Sequence, residues 1–151
     1  MHESLSSPIA SIQKRITSFV IDDIVISVFF ILIFYGQFSE VFSNITAVDQ
    51  TALDSVNTFI AQNILVIFAI KILYHTVLVW QNGMTLGKYL MKIKVIDLET
   101  GNTPSFQKAF LRASIRIPSE ALFYLGFLMA FFVPLKQTLH DKLSNCVVVD
   151  D

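Results

Sequence analysis

The 151-residue chain carries a net charge of -1, is 54% hydrophobic and only 15% charged, and has a mean hydropathy of +0.62. This composition is unlike that of an ordinary soluble domain and favours a single membrane domain over residues 1–151. The single cysteine, Cys146, excludes an intrachain disulfide, so nothing in the sequence argues for an oxidising compartment.

The first predicted helix, over about 15–36, contains an apolar run from Ile16 to Tyr35 that is long enough to cross a bilayer. Two adjacent carboxylates, Asp22 and Asp23, interrupt this run. A carboxylate inside a membrane helix costs about 2.5 to 3.5 kcal/mol on insertion scales, so the pair predicts a partner, a cavity or an ion path. The aspartates and the lack of a small-residue cleavage site argue against a secretory signal. We expect a retained first span.

The second predicted helix, over about 58–81, carries Lys71 and His75 one turn apart on the same face. The helical rise places both residues at a membrane depth comparable to that of the first-helix carboxylates. We therefore expect a pair such as Asp22 with Lys71, or Asp23 with His75, to neutralise charge in the low dielectric. An ion pair that only fixes helix packing and a transport or proton-relay role are both open.

The distribution of basic residues predicts the orientation of the chain. Residues 36–59, between the two helices, include acidic residues but no Lys or Arg, whereas residues 81–116 include six Lys or Arg. Because cytoplasmic segments of membrane proteins are enriched in basic residues, we expect the N-terminus and residues 81–116 in the cytoplasm. The acidic loop would then lie outside.

A turn and a short strand are predicted after the second helix. Gly83, Gly87 and Lys88 belong to a Gly-x-Thr-x-Gly-Lys segment, in which the glycines suit sharp turns of the chain. This segment lacks the spacing and the preceding strand of a phosphate-binding loop, which argues against nucleotide binding. Alternating apolar and basic residues then predict a strand over 92–97.

The third predicted helix, over 105–117, carries a basic stripe in which Lys108, Arg112 and Arg116 recur at every fourth residue. One interpretation is a face bound to solvent and lipid headgroups at the cytoplasmic surface. The sharper interpretation is that Arg116 reaches the carboxylates of the first helix.

The fourth predicted helix, over 118–134, opens at Pro118 and is too short to span a bilayer comfortably. It is either a third span or part of a bent helical hairpin over 105–134. Such a hairpin would enter and leave the membrane from the cytoplasmic side. We favour the hairpin because Cys146 to Val149 forms an apolar strand that needs a partner, which the strand over 92–97 provides. Asp141 would then lie close enough to contact the basic stripe or Arg15.

These residues together resemble the RDD family of small bacterial membrane proteins. The resemblance covers nearly the whole chain except the acidic loop, and it rests on Arg15, Asp22, the Gly83-x-Thr85-x-Gly87-Lys88 turn, Val95-Ile96-Asp97, the basic helix over 106–116, and Leu139-His140-Asp141 before Val147-Val148-Val149. It implies that Arg15, Asp22 and Asp141 are the residues that name the family. Ser18, where alanine is common, and the additional acid Asp23 are the departures. The resemblance also implies a mostly undefined function, with transport of unidentified ligands as the usual proposal.

The expected fold is an all-α membrane protein, a small multi-span helical bundle with a short cytoplasmic pairing of two strands that resembles a β-hairpin. We expect it in the bacterial cytoplasmic membrane, in contact with the lipid bilayer and with a second copy or another membrane protein. We expect no enzymatic activity, cofactor, metal or nucleic acid. An intramembrane aspartyl protease is a remote possibility only, because no protease motif surrounds Asp141.

Two functional hypotheses follow. The first is transport of an ion or small ligand through buried polar groups. The second is a non-transporting adaptor whose basic surface binds anionic lipid or a partner protein. The candidate polar site comprises Arg15, Asp22, Asp23, Lys71, His75, Arg116 and Asp141.

Overall fold

The computed structural model describes residues 7–121 and 128–151, which are mostly helical with a small two-stranded antiparallel sheet. The elements in chain order are α1 (Ile12–Ile33), α2 (Tyr35–Ser43), α3 (Gln50–Asn82), α4 (Leu86–Leu90), β1 (Ile93–Asp97), α5 (Phe106–Ala121), a 3-10 turn (Met129–Phe131), α6 (Leu139–Leu143) and β2 (Cys146–Asp150).

Two helices of the described residues, α1 and α3, are long and apolar enough to cross a membrane. At 1.5 Å per residue, the 33 residues of α3 extend about 50 Å, well beyond the roughly 30 Å hydrocarbon core. This helix begins at Gln50 rather than near residue 58, because the Asp49 side chain accepts a hydrogen bond from the Ala52 amide and caps it. The predicted acidic loop is therefore largely helical, and α2 occupies much of the remainder.

The predicted helix break at Pro118 is wrong, because α5 continues through this residue to Ala121. Proline removes one backbone donor from the helix interior. Arg116 and Glu120, one turn apart on either side of Pro118, form an ion pair that favours a continuous helix. The rest of the predicted helix over 118–134 lies partly outside the described residues, and so does the choice between a third span and a hairpin.

The predicted strand pairing is confirmed. Strands β1 and β2 pair antiparallel, with Val95 opposite Val148. The sheet is extended by a segment that the sequence pattern did not reveal, since Ile9 forms a bridge with Val149 and the Ala10 amide donates to the Val148 carbonyl. The start of the chain is thereby attached to its end.

Helix α5 packs antiparallel along the C-terminal part of α3. Phe106 at its start contacts Trp80, and Glu120 near its end contacts Lys71. The sheet covers the same end of the bundle, and the shared core consists of Ala10, Val79, Ile93, Val95, Ala109, Cys146 and Val148. Most buried residues therefore lie at one end of the molecule, close to the aspartates of α1.

Candidate functional site

Asp22 is fully buried at the centre of a cluster formed by α1, α3 and the turn that follows α3. Its carboxylate accepts hydrogen bonds from the Tyr74 hydroxyl at 2.8 Å, the Thr85 hydroxyl at 2.6 Å and the Gly87 amide at 2.8 Å. The Lys88 ammonium lies 3.9 Å away. We call these five residues the Asp22 cluster. Three donors and a cation compensate the charge of the buried carboxylate.

The two glycines of the turn allow it to approach α1. Gly83 ends α3 in a left-handed conformation with φ of 70°, and its carbonyl accepts a hydrogen bond from the Val95 amide of β1. A side chain at Gly87 would collide with the Ser18 carbonyl oxygen and come within 2.9 Å of Asp22. The glycines therefore keep their predicted role in the turn, and the lack of a side chain at Gly87 also lets its amide reach Asp22.

Asp141 is the centre of a second buried cluster, which holds the two ends of the chain together. It lies at the start of α6 and pairs with Arg15 of α1. The other carboxylate oxygen accepts from Arg112 of α5 at 2.7 and 2.8 Å. The Thr138 amide also donates to Asp141 at 3.2 Å. We call these four residues the Asp141 cluster.

A third group of charges forms a chain of contacts between α1, α3 and α5. The Lys71 ammonium lies 3.2 Å from Asp23 and 2.8 Å from Glu120, so it bridges two carboxylates. Glu120 also pairs with Arg116 at 2.7 Å, and Arg116 lies 3.3 Å from Nδ1 of His75. We call these five residues the Asp23 chain. Its exposure decreases from Asp23, whose side chain is 31% exposed, to the buried His75.

The sequence profile of the RDD family matches residues 9–145, which is most of the chain. The chain belongs to the RDD family. Members of this family are membrane-associated proteins of unknown function. The resemblance predicted from the sequence is therefore confirmed.

A relative of this RDD protein is the uncharacterized protein RP437 of Rickettsia prowazekii (strain Madrid E). The two are 30% identical over 118 residues, which cover 74% of this chain and 65% of the relative. The chain thus spans about two thirds of the length of that protein. No solved structure matches this chain.

All three residues predicted to name the RDD family lie in the buried clusters. Asp141 contacts both Arg15 and the basic stripe, as expected. The prediction that at least one α1 aspartate contacts a basic group is confirmed by the Asp23–Lys71 pair. The specific pairings were wrong, because Asp22 bonds to the turn rather than to Lys71 and because Asp23 meets Lys71 rather than His75.

The contacts of the basic stripe on α5 differ from both of the contacts that the sequence suggested. Arg112 and Arg116 are only 4% exposed, so the headgroup-bound face is wrong for these two residues. Arg116 pairs with Glu120 of its own helix and lies over the Phe19 ring of α1, rather than reaching the α1 aspartates. Lys108 is bound by Asp97 and Glu99 at the edge of the sheet.

Five partners in these clusters were missed as site residues: Tyr74, Thr85, Arg112, Glu120 and Thr138. Glu120 carried a usable signal, since its spacing from Arg116 fits an ion pair on a continuous helix. Thr85 lies between the two glycines of a turn, a common position for a side chain that caps a short helix. Tyr74 gave no signal, because its contact with Asp22 depends on the packing of α3 against α1.

Lys88 lies outside the two candidate spans, and its buried environment strongly shifts its pKa. Burial lowers the pKa of Lys88 from 10.5 to about 7; the Arg112 guanidinium lowers it as well, and Asp22 opposes the shift. Both protonation states of Lys88 are therefore populated near neutral pH.

The Asp141 cluster has fixed charges at neutral pH. Burial alone would raise the pKa of Asp141, but Arg112 and Arg15 hold it well below its ordinary value. Burial holds the pKa of the neighbouring His140 well below 6.5, so this imidazole is neutral. Asp141 is therefore an ionised centre between two guanidinium groups.

Proposed function

We propose that this RDD protein is a multi-pass transporter of the bacterial cytoplasmic membrane, which exchanges a small cation or proton at Asp23, Lys71 and Glu120. The observation that carries the proposal is the position of Lys71 between two carboxylates, at 3.2 Å from Asp23 and 2.8 Å from Glu120. Ionisable residues within membrane helices commonly mark ion pathways. This cluster joins both candidate spans to α5.

The geometry supports an exchange mechanism in which Lys71 competes with the transported ion. A cation or proton that reaches Asp23 or Glu120 neutralises one carboxylate and weakens its hold on the ammonium group. Lys71 then keeps the other carboxylate, so its charge is never left unpaired. When the ion leaves, Lys71 re-forms both contacts. Asp23 is the entrance because its side chain is more exposed than that of Glu120, at 31% against 12%.

The remainder of the Asp23 chain extends the cluster into the protein. The Arg116 guanidinium joins Glu120 to Nδ1 of His75. If Arg116 donates to Nδ1, the imidazole carries its proton on Nε2, and this atom has no hydrogen-bond partner within the part of the chain that the structure describes. His75 is therefore placed to take part in proton transfer at the inner end of the chain.

We propose an orientation with the N-terminus and the two-stranded sheet in the cytoplasm, as the distribution of basic residues favours. Two candidate spans among the described residues leave little room for a pathway within one copy, so we propose a homo-oligomer. The apolar residues exposed on α1 and α3, such as Leu32, Ile33, Leu65 and Leu73, suit contact with lipid or another copy.

The test is ion flux in proteoliposomes that contain the purified full chain. A pH-sensitive dye inside the vesicles reports proton movement when sodium or potassium is added outside, with and without an imposed pH gradient. We expect cation-dependent proton movement with wild-type protein, and at least a tenfold lower rate with Lys71→Gln. Lys142→Gln is the matched control because Lys142 is exposed.

Equal dye responses from wild-type proteoliposomes and empty vesicles would contradict transport of these ions. The adaptor hypothesis would then gain weight, although burial of Arg112 and Arg116 removes two of the three cations proposed for its lipid-binding face. A wild-type rate in Lys71→Gln would instead show that the ion moves by another route.

A further inference from the structure

A small cavity of about 20 Å³ lies where α1, α4, α5, α6 and the sheet meet. This volume accommodates about one water-sized occupant. The polar and charged side chains that line it are Arg15, Ser18, Lys88, Arg112, Arg116 and His140. Cationic groups therefore predominate around the cavity, and no carboxylate is among its lining residues.

The carboxylates nearest the cavity are already engaged. Both oxygens of Asp141 are bonded by guanidinium groups, and both oxygens of Asp22 accept from hydroxyl or backbone donors. Across the three clusters, five cations face four carboxylates, which leaves one positive charge in excess when Lys88 is protonated. An uncompensated charge at a buried site is costly.

Arg116 provides an independent observation that points to a ligand at this cavity. This residue is 4% exposed and lines the cavity. Its Nη2 atom is buried and has no hydrogen-bond partner among the residues that the structure describes. A buried guanidinium donor without an acceptor is unfavourable, so the site favours an occupant that accepts hydrogen bonds.

We propose that the cavity binds one monovalent anion of about the size of chloride, held by Arg116 and the other cations around it. Such an ion would accept the free Arg116 hydrogen bond and compensate the excess positive charge. A water molecule would fill the volume but leave the charge uncompensated. Sulfate and phosphate are too large for a cavity of about 20 Å³.

Anion binding would be coupled to a proton on Lys88, because the negative charge favours the ammonium form. The charged and titratable groups around Lys88 are Asp22 and Arg15 of α1, Tyr74 and His75 of α3, Arg112 and Arg116 of α5, and His140 and Asp141 of α6. Binding is therefore expected to be tighter at pH 6 than at pH 8.5 and to draw protons from solution.

Equilibrium dialysis of the purified wild-type protein against radioactive chloride tests the site directly. We expect saturable binding of about one chloride per chain, competed by bromide but not by sulfate at matched ionic strength. Absence of saturable binding would overturn the proposal and leave a water molecule as the occupant. Stronger competition by sulfate than by bromide would also overturn it, since it would place the anion at an exposed surface.

Thermal unfolding gives a second readout. Replacing gluconate by chloride at about ten times its dissociation constant should raise the Tm of wild-type protein by about 3 to 6 °C. This increase should be absent in Arg116→Gln and should persist in Lys14→Gln, which removes a cation from a partly exposed pair with Asp150. If Arg116→Gln does not fold, Arg116→Lys, which keeps the charge but loses the planar donors, should weaken chloride binding at least tenfold. Unchanged binding in the Lys variant would contradict a role for Arg116.

Discussion

The two adjacent aspartates of α1 differ in almost every physical respect. Asp22 is fully buried and accepts three hydrogen bonds, two from side chains and one from a backbone amide. The Asp23 side chain is 31% exposed and its contact with another element is a Lys71 ammonium that Glu120 also binds. A carboxylate whose oxygens are all hydrogen-bonded stabilises one conformation, whereas a carboxylate that shares an ammonium group with a second carboxylate can exchange its partner.

Asp141 resembles Asp22, because its carboxylate is also fully buried and both of its oxygens have partners. Its two guanidinium partners come from α1 and α5, so it joins elements that are distant in sequence. Arg15, Asp22 and Asp141, which the resemblance to the RDD family singles out, therefore stabilise the fold at the end of the helices beside the sheet. The function that we propose rests on the neighbouring residues Asp23, Lys71 and Glu120, outside that set.

The largest effect is expected from Asp141→Asn. Loss of the carboxylate charge leaves Arg15 and Arg112 buried without an anion, which costs about 3 to 5 kcal/mol in the free energy of unfolding. Asp150→Asn is the control, because its pair with Lys14 is partly exposed and should be worth at most about 1 kcal/mol. Denaturant titration in detergent measures both variants. Equal losses would contradict the structural assignment of Asp141.

Gly87→Ala tests the close approach of the turn to Asp22. The added carbon collides with the Ser18 carbonyl, so we expect a loss of about 1 to 3 kcal/mol. The matched control is Gly36→Ala in α2, where no heavy atom of the described chain lies within 4 Å of the added carbon. This control should be neutral or stabilising by about 0.5 to 1 kcal/mol. A neutral Gly87→Ala would show that the turn does not dock against α1.

The lowered pKa of Lys88 predicts that the free energy of unfolding depends on pH. Its pKa is lowered to about 7 in the folded protein, whereas the unfolded chain keeps a value near 10.5. Between these values the unfolded chain binds the additional proton, so folding stability should increase as the pH rises. Thermal unfolding between pH 7 and 8.5, in chloride-free buffer, should reveal a gain of about 1 to 2 kcal/mol.

The other groups near the clusters whose pKa values are shifted do not titrate between pH 7 and 8.5. His140 remains neutral above pH 7, and burial raises the pKa of the Cys146 thiol from 9.0. Lys88→Met should therefore remove the pH dependence. Persistence of the full dependence in this variant would assign it to a different group.

The smallest effect is expected on the apolar surface of α3. Leu65 is 77% exposed, so Leu65→Ala should change stability in detergent by less than about 0.5 kcal/mol. Val79→Ala on the same helix removes side-chain volume from the core and should cost about 1 to 3 kcal/mol. The ratio of the two losses measures how strongly the packing is confined to the end beside the sheet.

Local patterns were sufficient to predict the main elements. Alternating residues predicted β1, and an apolar strand without another partner predicted its pairing with β2. The apolar runs predicted α1 and the later part of α3. The start of α3 was misplaced because Asp49 caps the helix within a segment that composition alone suggested was a loop.

The partners of the buried charges could not be predicted in the same way. Depth arithmetic placed Asp22 and Lys71 at one level but could not determine how each helix was rotated. The Thr85 and Gly87 donors to Asp22 come from a turn more than 60 residues later in the chain, as their sequence separations of 63 and 65 show. Such contacts depend on the docking of α4 against α1, which a local pattern does not encode.

The most direct test of the account is ion flux through Asp23→Asn in proteoliposomes, at a protein content matched to that of the wild type. Glu120 remains to bind Lys71 at 2.8 Å, so this variant should fold with a Tm within about 2 °C of the wild type. We predict that its cation-dependent proton movement is at least tenfold slower, while Glu40→Gln, an exposed carboxylate variant of α2, retains the wild-type rate. A stable Asp23→Asn protein that transports at the wild-type rate would contradict the proposed role of the partly exposed Asp23.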